Sequence, residues 1–86
     1  MRLDKFLKVS RIIKRRTLAN EACDAGKVYV NGKPVKAGFQ LKIGDIVELR
    51  LAQRIIKVEV LSLDENAGKA AAAAMYRELR TEGEKQ

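Results

Sequence analysis

Apolar residues recur at helical spacing from the start of the chain: Leu3, Phe6 and Leu7 fall on one face, with Arg2, Lys5 and Lys8 on its flanks. This predicts a short amphipathic helix ending near Val9 or Ser10. Beyond Arg11-Ile12-Ile13-Lys14, a second stripe of Leu18, Ala19, Ala22, Cys23 and Ala25 predicts a helix from about Arg15 to Ala25, which Gly26 is placed to close in the left-handed conformation. The period then changes from helical to alternating. Val28 and Val30 alternate with polar neighbours, and Asn31-Gly32 supplies the two positive-φ residues of a tight type I′ hairpin before Lys33-Pro34-Val35. Gly44-Asp45 is the turn into a strand carrying Val47, Leu49 and Leu51. A turn at Ala52-Gln53-Arg54 leads to a strand carrying Ile56, Val58 and Val60.

Asp64 to Lys69 reads as a loop, and Ala70 to Glu82 as a helix, because alanine has the best helix propensity and Met75, Tyr76 and Leu79 form a narrow stripe. A helix of this length is marginal alone in water, which favours docking of that stripe on the sheet over contact with another protein. The expected organisation is α+β: a unit over residues 1–62, a linker over 63–69, a helix over 70–82 and a frayed tail over 83–86.

At 86 residues the chain is expected to be one domain, since a core this small buries only about 60–65% of the unfolded surface. The net charge of +7 is uneven. Residues 1–57 hold 14 Lys or Arg against 5 Asp or Glu, whereas residues 58–86 hold 4 against 6, so the positive field belongs to the body. Cys23 is the single cysteine and histidine is absent, which excludes an internal disulfide, a Cys/His metal cluster and a Cys-His catalytic pair within one chain. No cofactor is implied. A reducing cytoplasm is the expected compartment, with neither a secretion signal nor a membrane span in the sequence.

Seven of the first 16 residues are basic (Arg2, Lys5, Lys8, Arg11, Lys14, Arg15 and Arg16), against the single acid Asp4. Such a run is often only a solvated face, but its position argues otherwise. Cations at a helix start oppose the macrodipole at a cost of about 0.3–1 kcal/mol each, so stability alone would select acids there. Basic groups around free backbone N–H donors instead make an anion site. Compact packing of the two helices would bring Arg2 near the Arg15-Arg16 end, giving one patch for RNA phosphates. Lys27 and Lys33 at the hairpin, with Lys36 and Lys42, either extend that patch or are merely solvated.

The remaining residues read as structure. Asp4 has no partner acid, histidine or metal ligand, so it reads as a helix-start or ion-pair residue rather than a general acid or base. Cys23 reads as a small buried hydrophobe. Among the aromatics, Phe6 lies on a core stripe, while Tyr29 alternates out of phase with Val28 and Val30 and is the candidate for stacking on RNA bases.

Arg2-Leu3-Asp4-Lys5-Phe6-Leu7, Arg16 with Leu18-Ala19, Gly26-Lys27-Val28-Tyr29-Val30-Asn31-Gly32 and Gly44-Asp45-Ile46-Val47 together resemble the RNA-binding module named after ribosomal small-subunit protein four, over about residues 1–50. The resemblance implies a helix pair on a small, bent antiparallel sheet (the alpha-L motif), with RNA bound on the two-helix face and the family's helix-start arginines at Arg2 and Arg16. The Ser or Thr that often caps the second helix is Arg15 here. A free-standing copy with the Ala70-to-Leu79 helix appended is similar to the bacterial RqcP family, relatives of heat-shock protein fifteen.

That resemblance implies a non-catalytic, cytoplasmic and ribosome-associated factor. Its partners would be rRNA of obstructed large subunits, peptidyl-tRNA and an RqcH-type factor during alanine tailing of stalled nascent chains. The protein itself is expected to be monomeric. Three alternatives stand beside it: recycling of large subunits in the manner of heat-shock protein fifteen, an accessory targeting module of an RNA-modifying enzyme, and a basic amphipathic membrane peptide. The missing catalytic constellation weighs against the second of these, and the hairpin and alternating strands against the third.

Overall fold

The computed structural model describes residues 1–79. Two helices, α1 (Leu3–Val9) and α2 (Arg16–Asp24), precede strands β1 (Val28–Val30), β2 (Lys33–Pro34), β3 (Ile46–Arg50) and β4 (Ile55–Val60), a single-turn helix α3 (Lys69–Ala72) and strand β5 (Tyr76–Leu79). The sheet is antiparallel throughout, in the order β2-β1-β3-β4-β5.

The alternation read from the sequence sets the register. Val28 pairs with Leu49, Val30 with Val47, and Val47 with Val58, so the buried positions of three strands share one face. They join Leu3, Phe6 and Leu7 of α1 and Ala19 and Cys23 of α2 in one core. Leu3, Phe6, Leu7, Val28, Val47, Leu49, Val58 and Val60 are fully inaccessible to solvent. Burying side chains of this size contributes about 1.5–3 kcal/mol each, enough to hold two short helices that would not persist alone.

Asn31 (φ 53°) and Gly32 (φ 87°) carry the positive dihedrals of the predicted hairpin turn, and the Asn31 side chain ties that turn to β3 by accepting the Ile46 N–H at 3.0 Å. Arg15 occupies the N-cap of α2 without a side-chain cap, as the missing Ser or Thr implied. Leu18 departs from its predicted stripe: it is 46% exposed, and Ala25 is exposed as well, so Ala19 and Cys23 make the core contact of α2. These positions sit at the margin of a nine-residue helix that meets the core along one narrow line.

The C-terminal segment corrects the sequence reading. In place of a helix over 70–82, the helix stops at Ala72, and Tyr76–Leu79 adds a fifth strand along β4, with Val60 opposite Tyr76 and Val58 opposite Glu78. Residues 80–82 of the expected helix and the tail over 83–86 lie outside the described residues. Alanine propensity is worth only tenths of a kcal/mol per residue, whereas an unpaired β4 edge leaves a row of N–H and C=O groups without partners. Strand pairing satisfies that edge, buries Met75 and sets Arg77 against Glu59 as a cross-strand ion pair. Of the expected docking of Met75, Tyr76 and Leu79, Met75 and Tyr76 pack against the core, whereas Leu79, opposite Lys57, lies on the other face of the sheet.

Candidate nucleic-acid interface

The starts of α1 and α2 meet at one carboxylate. Asp4, in the first turn of α1, is 1% exposed and faces α2. Its Oδ1 accepts from Arg2 Nε at 3.1 Å, Arg16 Nη2 at 3.3 Å and the Lys5 backbone N–H at 2.9 Å. Its Oδ2 accepts from Arg16 Nε at 3.1 Å, Arg2 Nη2 at 3.3 Å and Asn20 Nδ2 at 2.9 Å. Each guanidinium thus engages both oxygens side-on, a bidentate geometry that fixes its plane.

Electrostatics keep this carboxylate charged. Burial alone would raise its pKa, but the hydrogen bonds from Arg16, Arg2 and Asn20 and the Arg16 charge outweigh desolvation and hold it well below the usual carboxylate range. One negative charge set against two positive charges leaves a net cation. The side chains of Arg2 and Arg16 stay 49% and 46% exposed, so each keeps part of its guanidinium edge available to solvent. Arg2 also lies along the Gly38 backbone, where a Cβ would stand 3.7 Å from its Cζ.

The structure unites Arg2 and Arg16 as the sequence analysis expected, and Asp4 is the ion-pair residue anticipated there. Lys14 and Arg15, just before Arg16, and Lys8, in the last turn of α1, are exposed. Lys5 is half-buried, and its Nζ donates to Glu65 at 2.6 Å, so a loop carboxylate already occupies it. Arg11 stands at the opposite end of α1, near Arg54 and Tyr76. Lys27 borders a shallow cleft with Leu18 and Leu51, and Lys33 is exposed on the edge strand β2. These last three are not part of the Asp4-centred cluster. Asn20 escaped the sequence analysis; the signal was its place one helical turn beyond Arg16, on the same face.

Tyr29 is half-buried and carries the Arg50 guanidinium over its ring at 4.1 Å, while Arg50 Nε donates to Glu48 at 2.8 Å. One face of the aromatic ring is thereby occupied by a cation that the chain itself supplies. Cys23 is buried as expected, and burial, with Asp4 and Asp24 nearby, raises its thiol pKa. Among the described residues no helix is long and apolar enough to cross a membrane.

A helix pair whose starts converge on one acid, packed on a small antiparallel sheet, matches the S4 domain over residues 1–47. The chain is 50% identical over 76 residues to the RQC P-site tRNA stabilizing factor of Halalkalibacterium halodurans, covering 88% of this chain and 86% of that protein. It is 49% identical over 82 residues to the factor of the same name from Bacillus subtilis, covering 95% of each. The crystal structure of trimeric Vibrio cholerae Heat Shock Protein 15 superposes with a TM-score of 0.83 at 31% identity, covering 92% of this chain and 81% of that one. The chain therefore belongs to the S4-domain family, in the branch of the RQC P-site tRNA stabilizing factors.

Proposed function

We propose that this protein is a non-catalytic RNA-binding factor of ribosome-associated quality control. In this reading it sits on large ribosomal subunits obstructed by peptidyl-tRNA and grips RNA backbone with the Arg2–Arg16 pair. The observation that carries it is the Asp4 clamp, which holds two half-exposed guanidiniums in fixed planes and leaves the group net positive. Preorganised cations lose less side-chain entropy on meeting a phosphate than free lysines do. Lys8, Lys14 and Arg15 add longer-range attraction, Arg11, Lys27 and Lys33 extend the contact to neighbouring backbone, and Lys5 joins them only on release from Glu65.

Phosphate contacts position without reading sequence, so selectivity comes from RNA shape and from whether rRNA and tRNA are present together. The names of the relatives support tRNA in the P site as one of these partners. The factor then acts as a monomer in the cytoplasm beside an RqcH-type protein, holding tRNA in place while alanine is added to the stalled chain. Positioning is its mechanism and it transfers no group itself.

The likeness to Heat Shock Protein 15 favours a second reading, in which the factor recycles large subunits carrying nascent chain-tRNA. Cosedimentation separates both from non-specific binding. The protein should pellet with free large subunits bearing peptidyl-tRNA and much less with intact ribosomes; equal or absent pelleting on both would refute the quality-control role. Loss of alanine tails in its absence, with large-subunit recycling unchanged, distinguishes the first reading from the second.

A further inference from the structure

At the far end of α1 from the Asp4 cluster, the sheet runs past the helices and leaves a cleft of about 210 Å³ lined by Arg11, Ile12, Arg54, Ile56, Tyr76 and Glu78. The register explains its walls. Tyr76 lies opposite Val60 and Glu78 opposite Val58, and both valines are fully buried, so both β5 residues project from the helix-bearing face. Arg11 hangs over them from the turn that ends α1, and Arg54 closes the side from the β3–β4 turn.

The cleft combines three kinds of group. Ile12 and Ile56 are half-buried and give an apolar floor, and Tyr76 offers a half-buried ring. Arg11, Arg54 and Glu78 are exposed, and among the described residues none of them is ion-paired with another. Arg11 also holds a left-handed backbone (φ 65°), secured by its own N–H to Lys8 O at 3.0 Å and by Ile13 N–H to Leu7 O at 3.1 Å. Glycine would take that conformation without strain, so an arginine there keeps its guanidinium over the cleft at a cost to the fold.

We propose that this cleft takes one unstacked RNA nucleotide, and that the base is guanine; the proposal rests on the RNA-binding reading above. An aromatic ring beside an apolar floor suits a base face, and two guanidiniums suit the flanking phosphates. The carboxylate decides the base. Ionised, it only accepts, and guanine presents two adjacent donors, N1–H and the N2 amino group, to both of its oxygens. Adenine and cytosine offer an amino group without that neighbour, and uracil a single N–H.

The test is amide NMR of the full chain titrated with GMP, AMP, CMP, UMP and ribose 5-phosphate. The Tyr29→Phe variant adds a fluorescence readout, since it leaves Tyr76 as the sole tyrosine of the chain's two. GMP should shift the amides of residues 11, 54, 56, 76 and 78 and quench Tyr76, with about tenfold tighter binding than the other nucleotides, as a bidentate base contact allows. Glu78→Gln should abolish the preference for GMP, and Arg54→Ala should weaken all nucleotides alike. Silence of these residues at millimolar GMP, equal response to all four bases or to ribose 5-phosphate, or a preference that survives Glu78→Gln would overturn the proposal. The combined Arg2→Ala and Arg16→Ala variant keeps the two readings apart. If it loses RNA while the cleft stays silent in the native chain, the cleft fails and the RNA reading stands; if it binds RNA as the native chain does, the clamp reading fails.

Discussion

Asp4 and Arg16 lie twelve residues apart in the chain, and their side chains meet at 3.1 Å, with the carboxylate buried and the guanidinium half in solvent. The acid is thus a structural part of the basic surface, joining two helices and aiming the cations of both.

Asp4→Asn should therefore destabilise the fold by about 1–3 kcal/mol at neutral pH, because charge-assisted hydrogen bonds are weakened and two guanidiniums lose their counter-charge. The pH dependence has a definite sign. A depressed carboxyl pKa contributes stability that is complete above the unfolded value, near 4, and is lost as pH falls from there through the folded value. The stability gap between native chain and variant should hold from neutrality to about pH 5 and shrink below about pH 4, as measured by urea denaturation at each pH.

Lys5 is tied to Glu65 at 2.6 Å, a contact that depresses the Glu65 pKa through the lysine's hydrogen bond and charge. Glu65→Gln should free Lys5 for phosphate and tighten RNA binding by at most a few-fold, since exposed pairs of this kind are weak. Filter binding at low salt would register the gain. Weaker binding by the variant would place Glu65 itself at the interface.

Met75 is 1% exposed and anchors the turn into β5. Met75→Ala should cost about 2–5 kcal/mol in chemical denaturation, from lost transfer free energy and the cavity left behind. The amides of β5 should lose protection from hydrogen exchange in the variant before those of β1 and β3. An unchanged midpoint would mean that β5 does not hold the β4 edge.

Arg11→Gly separates stability from binding. Glycine accepts the φ of 65° without the steric cost an arginine pays there, roughly 1–2 kcal/mol, though its own entropy cost offsets about half of this. The variant should be at least as stable as the native chain and bind RNA less tightly. A clear fall in its melting temperature would show that the Arg11 side chain supports the fold.

Much of this was legible because local and tertiary demands agreed. Leu3, Phe6 and Leu7 had to face one way, Val47 and Val58 had to share a side, and Asn31-Gly32 had few conformations to choose from. Compact packing of the two helices pointed to the meeting of Arg2 with the Arg15-Arg16 end, whereas the part of Asp4 in joining Arg2 to Arg16 was visible only in the structure. What escaped was decided by partners distant in sequence. Tyr76–Leu79 became a strand because β4 offered an open edge, which no local propensity records. Arg50 over Tyr29 and Glu65 on Lys5 are pairings across strands and loops, and exposed charges carry no periodicity that would announce them. Leu18 broke its stripe because α2 touches the core along too narrow a line to bury it.

The most direct test of the clamped arginine pair is the salt dependence of binding to large subunits carrying peptidyl-tRNA, for the native chain and for Arg2→Ala, Arg16→Ala and Arg16→Lys. Each alanine variant should bind more weakly and lower the slope of log K against log salt by about one unit. Arg16→Lys should recover the slope but only part of the affinity, because an ammonium cannot reproduce the bidentate plane. Native affinity and slope in the Arg2→Ala and Arg16→Ala variants would contradict the account.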